Sequence, residues 1–391
     1  MKILIVIEDY LNQSNGMSIS TQRFVSEFRK QGHEVKILAA NMKGVDGFSL
    51  QVKKIPLFHP LIEKQGFHFA KADLEVMEEA VEWADLVHIE DPFSLCWRTA
   101  HIAEKIGKPV TGTFHLYPEN MTASLPPLNH KLQNKTLMKV FRDVSYKSCR
   151  SIQCPTEKVK KRLEDYGFSA ELRAISNGIS EDYLVPLPKP APRDFLQILS
   201  VGRYSHEKDQ KTLIQAIGRS RHAGNIRLVL AGRGPLKEKY QELCRPLPQP
   251  ALLKFCSSDE LKQLMRESDL YVHTARVEVE GMACMEAFAS GCVPIIADSN
   301  LSSTAIYALS PENRFSAGNA EELAQKIDYW IERPRERDAM SRRYQEYAQS
   351  LSLDRSAGKV LKMMEDACDP CAAPPDARQF IKDKKWVGKG C

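Results

Sequence analysis

No stretch of this 391-residue chain approaches the roughly 18 consecutive apolar residues that span a bilayer. The opening Met1-Lys-Ile-Leu-Ile-Val-Ile7 meets Glu8 and Asp9 at once, the pattern of a buried strand rather than a secretory leader. An excess of one charge is missing too. Fifty-five basic against 50 acidic residues leave a formal +5, too mild for a nucleic-acid partner. There is no Asp-x-Asp and no cluster of His, Cys and carboxylates at metal-ligand spacing, so no metal or other cofactor is expected. A Walker loop, a Gly-x-Ser-x-Gly elbow and the kinase motifs are likewise absent, which excludes the chemistries they carry. The ten cysteines are scattered, with Cys154, Cys256, Cys284 and Cys292 in apolar segments. They read as buried cytosolic thiols, and Cys368-x-x-Cys371, lacking a second pair, as chance spacing. A cytoplasmic protein is expected.

What the chain does have is alternation. Strand-like runs at 2–7, 35–39, 86–89, 109–114, 151–153 and 172–175 are separated by helical stretches near 18–31, 71–83, 95–106, 131–149 and 156–166. Strands rich in Val, Ile and Leu between helices predict a parallel sheet covered on both faces. Four prolines in Val185–Pro192 then act as a semi-rigid connector. A second alternating set follows, with strands at 196–202, 226–231, 251–255, 269–273 and 293–297 and helices from 209–220 to 355–367. The expected fold class is α/β: two doubly wound, Rossmann-like domains facing a central cleft. The boundaries are 1–184, a linker at 185–194, a second domain at 195–367 and a basic tail at 368–391 that can fold back on the first domain. Ligands of such sheets bind at the carboxyl ends of strands.

The most informative segment is Glu278-Val-Glu-Gly-Met-Ala-Cys-Met-Glu286, with its carboxylates eight positions apart. Gly281 precedes a helical run, so Glu278 falls in a loop and Glu286 about one turn inside a helix. Amides at a helix N-terminus bind phosphate. Carboxylates on either side suit a diphosphate with hydroxyls at both ends, the layout of a nucleotide sugar. An amphipathic helix with one capping and one surface glutamate is the plainer alternative. Upstream, Gly202-Arg203 ends a strand and Lys208 follows five residues later; at that position the two cations can neutralise a departing diphosphate. Gly232 and Gly234 mark a strand-to-helix turn open to close backbone approach. The third glycine of a dinucleotide fingerprint and its downstream acid are lacking, which disfavours a nicotinamide oxidoreductase. In the first half, Gly16 opens a helix that Ser18 can cap. His115, at the end of a central strand, can hydrogen-bond a sugar hydroxyl or move a proton.

One basic stretch stands out. Between Lys131 and Arg162 there are ten basic residues against two acids, and Lys131, Lys135, Lys139 and Arg142 share a helical face. Leu132, Leu137 and Phe141 add apolar surface, so the face can lie on anionic lipid or serve as an ordinary solvated face.

Together these residues resemble a GT-B glycosyltransferase of the large retaining family 4. Glu278 and Glu286 match its Glu-x7-Glu signature, and Gly202, Arg203 and Lys208 its Gly-Arg…Lys element. Gly232 to Pro235 match the strand-end glycines, Asn177 and Gly178 the element closing the first domain, Gly16 the amino-terminal glycine loop, and His115 the cleft histidine. The resemblance implies a hexosyltransferase using a nucleoside-diphosphate sugar, UDP-glucose or a relative. Arg203 and Lys208 would hold the diphosphate, and Glu286 the ribose. Glu278 with the amides of Gly281, Met282 and Ala283 would hold the transferred sugar, which His115 would touch from the other domain. Many members carry an aromatic residue where this chain has Glu280, which leaves the transferred hexose open. The variant motif and Thr113–Asn120 resemble bacterial enzymes that glycosylate lipids or the cell envelope, diacylglycerol glucosyltransferases among them. A membrane-lipid acceptor and a peripheral location at the inner membrane face are therefore expected. The alternatives are the same scaffold with epimerase or polysaccharide-synthase chemistry, or a binding module without turnover.

Overall fold

The computed structural model describes residues 1–13, 15–53, 67–123, 130–185 and 193–369. The connector at 186–192 and the tail from 370 lie outside the described residues. Contacts divide the chain into two compact units. The first comprises Met1–Leu116, Lys135–Ser176 and residues from Arg355 on; the second comprises Tyr117–Asn134 and Asn177–Asp354.

These units differ from a division at the proline-rich connector. The helix Leu353–Cys368, expected mostly in the second domain, begins at the end of that unit and joins the first from Arg355. There the Arg150 Nη1 donates to the Ala367 carbonyl at 2.7 Å and Arg173 pairs with Asp366 at 2.8 Å. Long-range partners of this kind leave no trace in local sequence pattern. Residues 177–184 group with the second unit although they precede the connector.

The first unit holds a seven-stranded, all-parallel sheet. Its strands are β1 (Lys2–Val6), β2 (Glu34–Ala40), β3 (Gly47–Leu50), β4 (Leu86–Ile89), β5 (Val110–Thr113), β6 (Ser151–Cys154) and β7 (Glu171–Ala174). They lie in the order β3-β2-β1-β4-β5-β6-β7. β1 and β4 are buried along nearly their whole length, because helices cover both faces. Each fully buried Ile, Leu or Val there contributes about 1.5–3 kcal/mol. The short β3 was not expected; it opens with Gly47 and lacks the apolar run that marked the others. Helix Gly16–Lys30 is capped by Asn15, whose Oδ1 accepts the Met17 N–H at 3.0 Å. Ser18, expected as the cap, lies within the first turn and donates instead to the Asp9 carbonyl at 2.6 Å. The helix expected over 131–149 stops at Val140 and passes into a π turn at Phe141–Ser145. Ser145 anchors that turn by donating to the Pro92 carbonyl at 2.7 Å.

The second unit repeats the plan. Strands β8 (Leu196–Val201), β9 (Ile226–Ala231), β10 (Leu252–Lys254), β11 (Leu270–His273), β13 (Val293–Asp298) and β15 (Arg314–Ser316) form a parallel sheet in the order β10-β9-β8-β11-β13-β15. A separate two-stranded pair joins β12 (Val277–Glu278) to β14 (Leu301–Ser302). β12, β14 and β15 were not legible, since two or three residues carry no periodicity. Both sheets reverse direction of strand addition, at β1/β4 and at β8/β11. Loops leaving the carboxyl ends of those strands diverge there and leave room for a ligand.

None of the eight described cysteines forms a disulfide. Six are buried, whereas Cys256 and Cys368 are half-buried. Among the described residues no helix is long and apolar enough to cross a membrane.

Candidate functional site

β8 and β11 are neighbours, so the loops that follow them meet at the reversal point of the second sheet. There Lys208 Nζ donates to Glu278 Oε2. The Lys208 carbonyl accepts the Thr274 hydroxyl at 2.7 Å, which fastens one loop to the other. Burial pushes the Glu278 carboxyl up, but Lys208 and then His273 outweigh it and hold the group below its ordinary range. His273 Nε2 lies 3.7 Å from the same oxygen. Burial drives this imidazole down to about 4 against the opposing pull of Glu278. The result near neutral pH is an ionised Glu278 carboxylate beside an uncharged histidine.

Arg203 stands at the end of β8 and pairs with Glu207 at 2.8 Å. Burial raises the Glu207 carboxyl, yet Arg203 and Ser205, whose hydroxyl donates at 2.6 Å, bring it below the usual carboxylate range. Glu207 was missed in the sequence, although its spacing four residues after Arg203 on a tight turn was a usable signal. Gly232 directly follows β9, beside this loop. A Cβ on Gly232 would sit 2.0 Å from the Gly202 carbonyl oxygen, so only glycine permits the two turns to touch. Gly234 follows on the same turn.

Gly281 adopts φ of 89° and opens the helix Met282–Ala289. Its missing side chain matters twice, because a Cβ would also meet Thr304 Oγ1 at 2.6 Å. The amides of Met282 and Ala283, as first-turn groups, have no acceptor within their helix. Glu286 is buried one turn further in. The expected donor residues of the second half therefore follow the carboxyl ends of β8, β9 and β11, with Glu278 ending the short strand β12 rather than sitting in a loop, or lie on the helix that follows.

Gly16 and His115 belong to the first unit and gather at the reversal point of its own sheet. His115 Nε2 is 2.8 Å from Glu90 Oε2, and Glu90 directly follows β4. Thr21, on the helix opened by Gly16, donates its hydroxyl to the Met17 carbonyl at 3.0 Å and also acts on Glu90. Burial raises the Glu90 carboxyl, but His115, His88 and Thr21 reverse the sign and leave it lowered. An ionised Glu90 requires a proton on Nε2 of His115 to make this hydrogen bond. The sequence reading missed Glu90; paired acids at the end of a buried strand, Glu90-Asp91, were the available signal.

A third carboxylate, Glu8, lies at the end of β1 with none of its surface exposed. Its oxygens accept the Ala70 N–H at 2.6 Å and the Leu95 N–H at 3.0 Å. Burial and the facing Asp91 push its pKa up to about 8, while those two amides and Lys53 oppose the rise. A folded-state pKa above the unfolded one stabilises the protein at low pH, and that contribution is lost as pH climbs to the folded value. The stability difference between Glu8→Gln and wild type should therefore move in favour of the variant between pH 4.5 and about 8. Urea unfolding across that range checks it; a pH-independent difference removes the assignment.

The helix Lys131–Val140 presents Lys131, Lys135 and Lys139 to solvent together with Leu132, which is 76% exposed, and Val140. Arg142, expected on the same face, instead forms two hydrogen bonds to Asp143 and one to the Tyr166 carbonyl.

The model for glycosyl transferases group 1 matches residues 188–349, and that for glycosyltransferase family 4 matches residues 14–183. The chain is 26% identical over 327 residues to the alpha-monoglucosyldiacylglycerol synthase of Streptococcus pneumoniae, covering 77% of this chain and 71% of that protein. It is 23% identical over 311 residues to a GDP-mannose-dependent alpha-mannosyltransferase of Corynebacterium glutamicum, covering 76% and 72%. The fold is similar to that of Anabaena HepE in complex with UDP and glucose, at a TM-score of 0.71 and 16% identity over 93% of this chain and 99% of that one. Two parallel α/β domains, matched along their lengths by these two models, make the chain a GT-B glycosyltransferase belonging to the group 1 and family 4 glycosyltransferases.

Proposed function

We propose that the protein moves a hexose, with retention of anomeric configuration, from UDP-glucose or a close relative to a hydroxyl of a membrane lipid such as diacylglycerol. The observation that carries this reading is the Lys208–Glu278 contact beside Arg203 and the Met282 helix terminus. Arg203 and Lys208 stabilise the diphosphate as charge accumulates on departure. Glu286 binds the ribose hydroxyls. Glu278 and the amides from Gly281 to Ala283 align the transferred sugar, and His115 contributes a hydrogen bond to it. The leaving phosphate takes the acceptor proton on the same face, which accounts for retention. Relatives whose names carry an alpha linkage support that stereochemistry. The two cations and the helix amides meet the diphosphate charge, and the reaction proceeds without a divalent ion or another cofactor.

A lipid acceptor draws support from the named activity of the pneumococcal relative and from the exposed Lys131–Val140 face. Each cation near an anionic surface adds on the order of 1 kcal/mol. The reading also places the working protein peripherally on a membrane.

Calorimetry with UDP against GDP tests the donor, because a GDP-mannose enzyme is also among the relatives. Binding of UDP in the micromolar range and transfer from UDP-glucose to diacylglycerol in anionic vesicles are expected. Rates should be unchanged by EDTA, and the product should be the α-anomer by proton NMR. Absence of UDP binding at millimolar concentration removes the donor assignment, a β-product removes retention, and loss of rate in EDTA removes the metal-free scheme.

A further inference from the structure

The donor loop carries a carboxylate that the proposed chemistry does not use. Glu280 lies between Glu278 and Gly281, and its side chain is buried. Glu280 Oε2 accepts both the Asn177 backbone N–H at 2.9 Å and its Nδ2 at 2.7 Å. Glu280 Oε1 accepts the Tyr307 hydroxyl at 2.8 Å. The Glu280 carbonyl accepts the Thr304 hydroxyl at 2.9 Å, and Thr304 is the residue packed against Gly281. Three donors thus converge on the carboxylate and one on the main chain of the same residue.

The partner Asn177 has a particular place in the chain: it is where the polypeptide re-enters the second unit, at the start of that unit's longer segment. Two residues on, the Ile179 N–H donates to the Leu351 carbonyl at 2.8 Å and the Leu353 N–H returns to the Ile179 carbonyl at 2.9 Å. Leu353 directly precedes the point, after Asp354, where the chain leaves that unit. The entry and exit segments are therefore stitched together, and Glu280 ties the stitched segment to the loop that precedes helix Met282–Ala289.

We propose that Glu280 is a positioning residue that braces the Val279–Met282 loop against Asn177, so that it governs the geometry of the donor loop and not the choice of sugar. The proposal rests on the reading that this loop holds the donor. A brace and a sugar reader make different demands. A sugar reader loses discrimination between epimeric donors when altered, and its effect does not pass through Asn177. A brace loses the same function whichever end is cut, and cutting both ends adds little.

The test compares the full chain with Glu280→Gln, Asn177→Ala and the double variant. Amide hydrogen exchange across residues 278–285, measured without ligand, should quicken by about tenfold in each single variant, the order expected for losing hydrogen bonds to a charged group. The double variant should go no further. KM for UDP-glucose should rise about tenfold with kcat little changed, and the kcat/KM ratio of UDP-glucose to UDP-galactose should stay as in wild type. Unaltered exchange in both single variants overturns the brace. So does a shifted donor ratio in Glu280→Gln with a normal KM in Asn177→Ala. A wild-type protein that binds neither UDP sugar would remove the donor reading, while the exchange measurement still decides whether the brace exists. If Glu280→Gln fails to fold, Asn177→Ala carries the test, since it leaves the carboxylate and Tyr307 in place.

Discussion

Replacing Arg203 and Lys208 together by alanine is expected to lower kcat by about four orders of magnitude, each cation accounting for roughly 10²–10³. The physical basis is charge that exists on the bridging oxygen only as the sugar departs. Fixed cations at the ends of β8 and its loop stabilise that state without reorganising. A loss of this size invites a folding explanation, and the geometry supplies the control. Lys208→Ala strands the half-buried Glu278 carboxylate, which is costly in itself. Adding Glu278→Gln removes the stranded charge and should recover thermal stability without recovering turnover. If the paired variant regains both, the lysine serves the fold and not the reaction. If the Arg203 and Lys208 substitutions leave kcat within tenfold of wild type, the diphosphate is held elsewhere.

Glu286→Ala should weaken UDP binding by about 100-fold, the scale of two hydrogen bonds to a charged group. Pyrophosphate binding should be unaffected, because the carboxylate is assigned to ribose hydroxyls and not to phosphate. Calorimetry with the two ligands separates these contributions, and 2′-deoxy-UDP should bind the wild type more weakly and the variant with no further penalty. Equal losses for UDP and pyrophosphate would show that Glu286 acts through the helix on which it sits. That helix is short and its Glu286 side chain is buried, so a local distortion would reach the amides of Met282 and Ala283 as well.

Much of the local geometry after β8 and β11 was legible in the sequence. Glu278, Gly281 and Glu286 lie within nine residues of one another, and their relation is imposed by a loop running into a helix. Arg203 and Lys208 are likewise separated by one turn after one strand. Such short-range geometry follows from chain connectivity and from the glycine at the helix start. The first-unit group was less legible. His115 stood out by position, but its partner Glu90 is 25 residues away and reaches it only because β4 and β5 are adjacent in the sheet. Glu280 shows the same limit. In sequence it reads as a substitution beside the motif, whereas its bonds run to Asn177 and Tyr307, 103 and 27 residues distant.

By itself the sequence determined the two alternating α/β repeats, the order of their longer strands and helices, and the residue types gathered after β8 and β11. Periodicity, prolines and glycines act over a few residues, and those features need nothing more. Tertiary structure alone decided that the terminal helix joins the first unit, that Lys208 meets Glu278, and which carboxylates are paired and which are kept protonated. Those outcomes depend on neighbours brought together by sheet order and on burial, which changes the cost of a charge. Neither quantity is written in any local stretch of the chain.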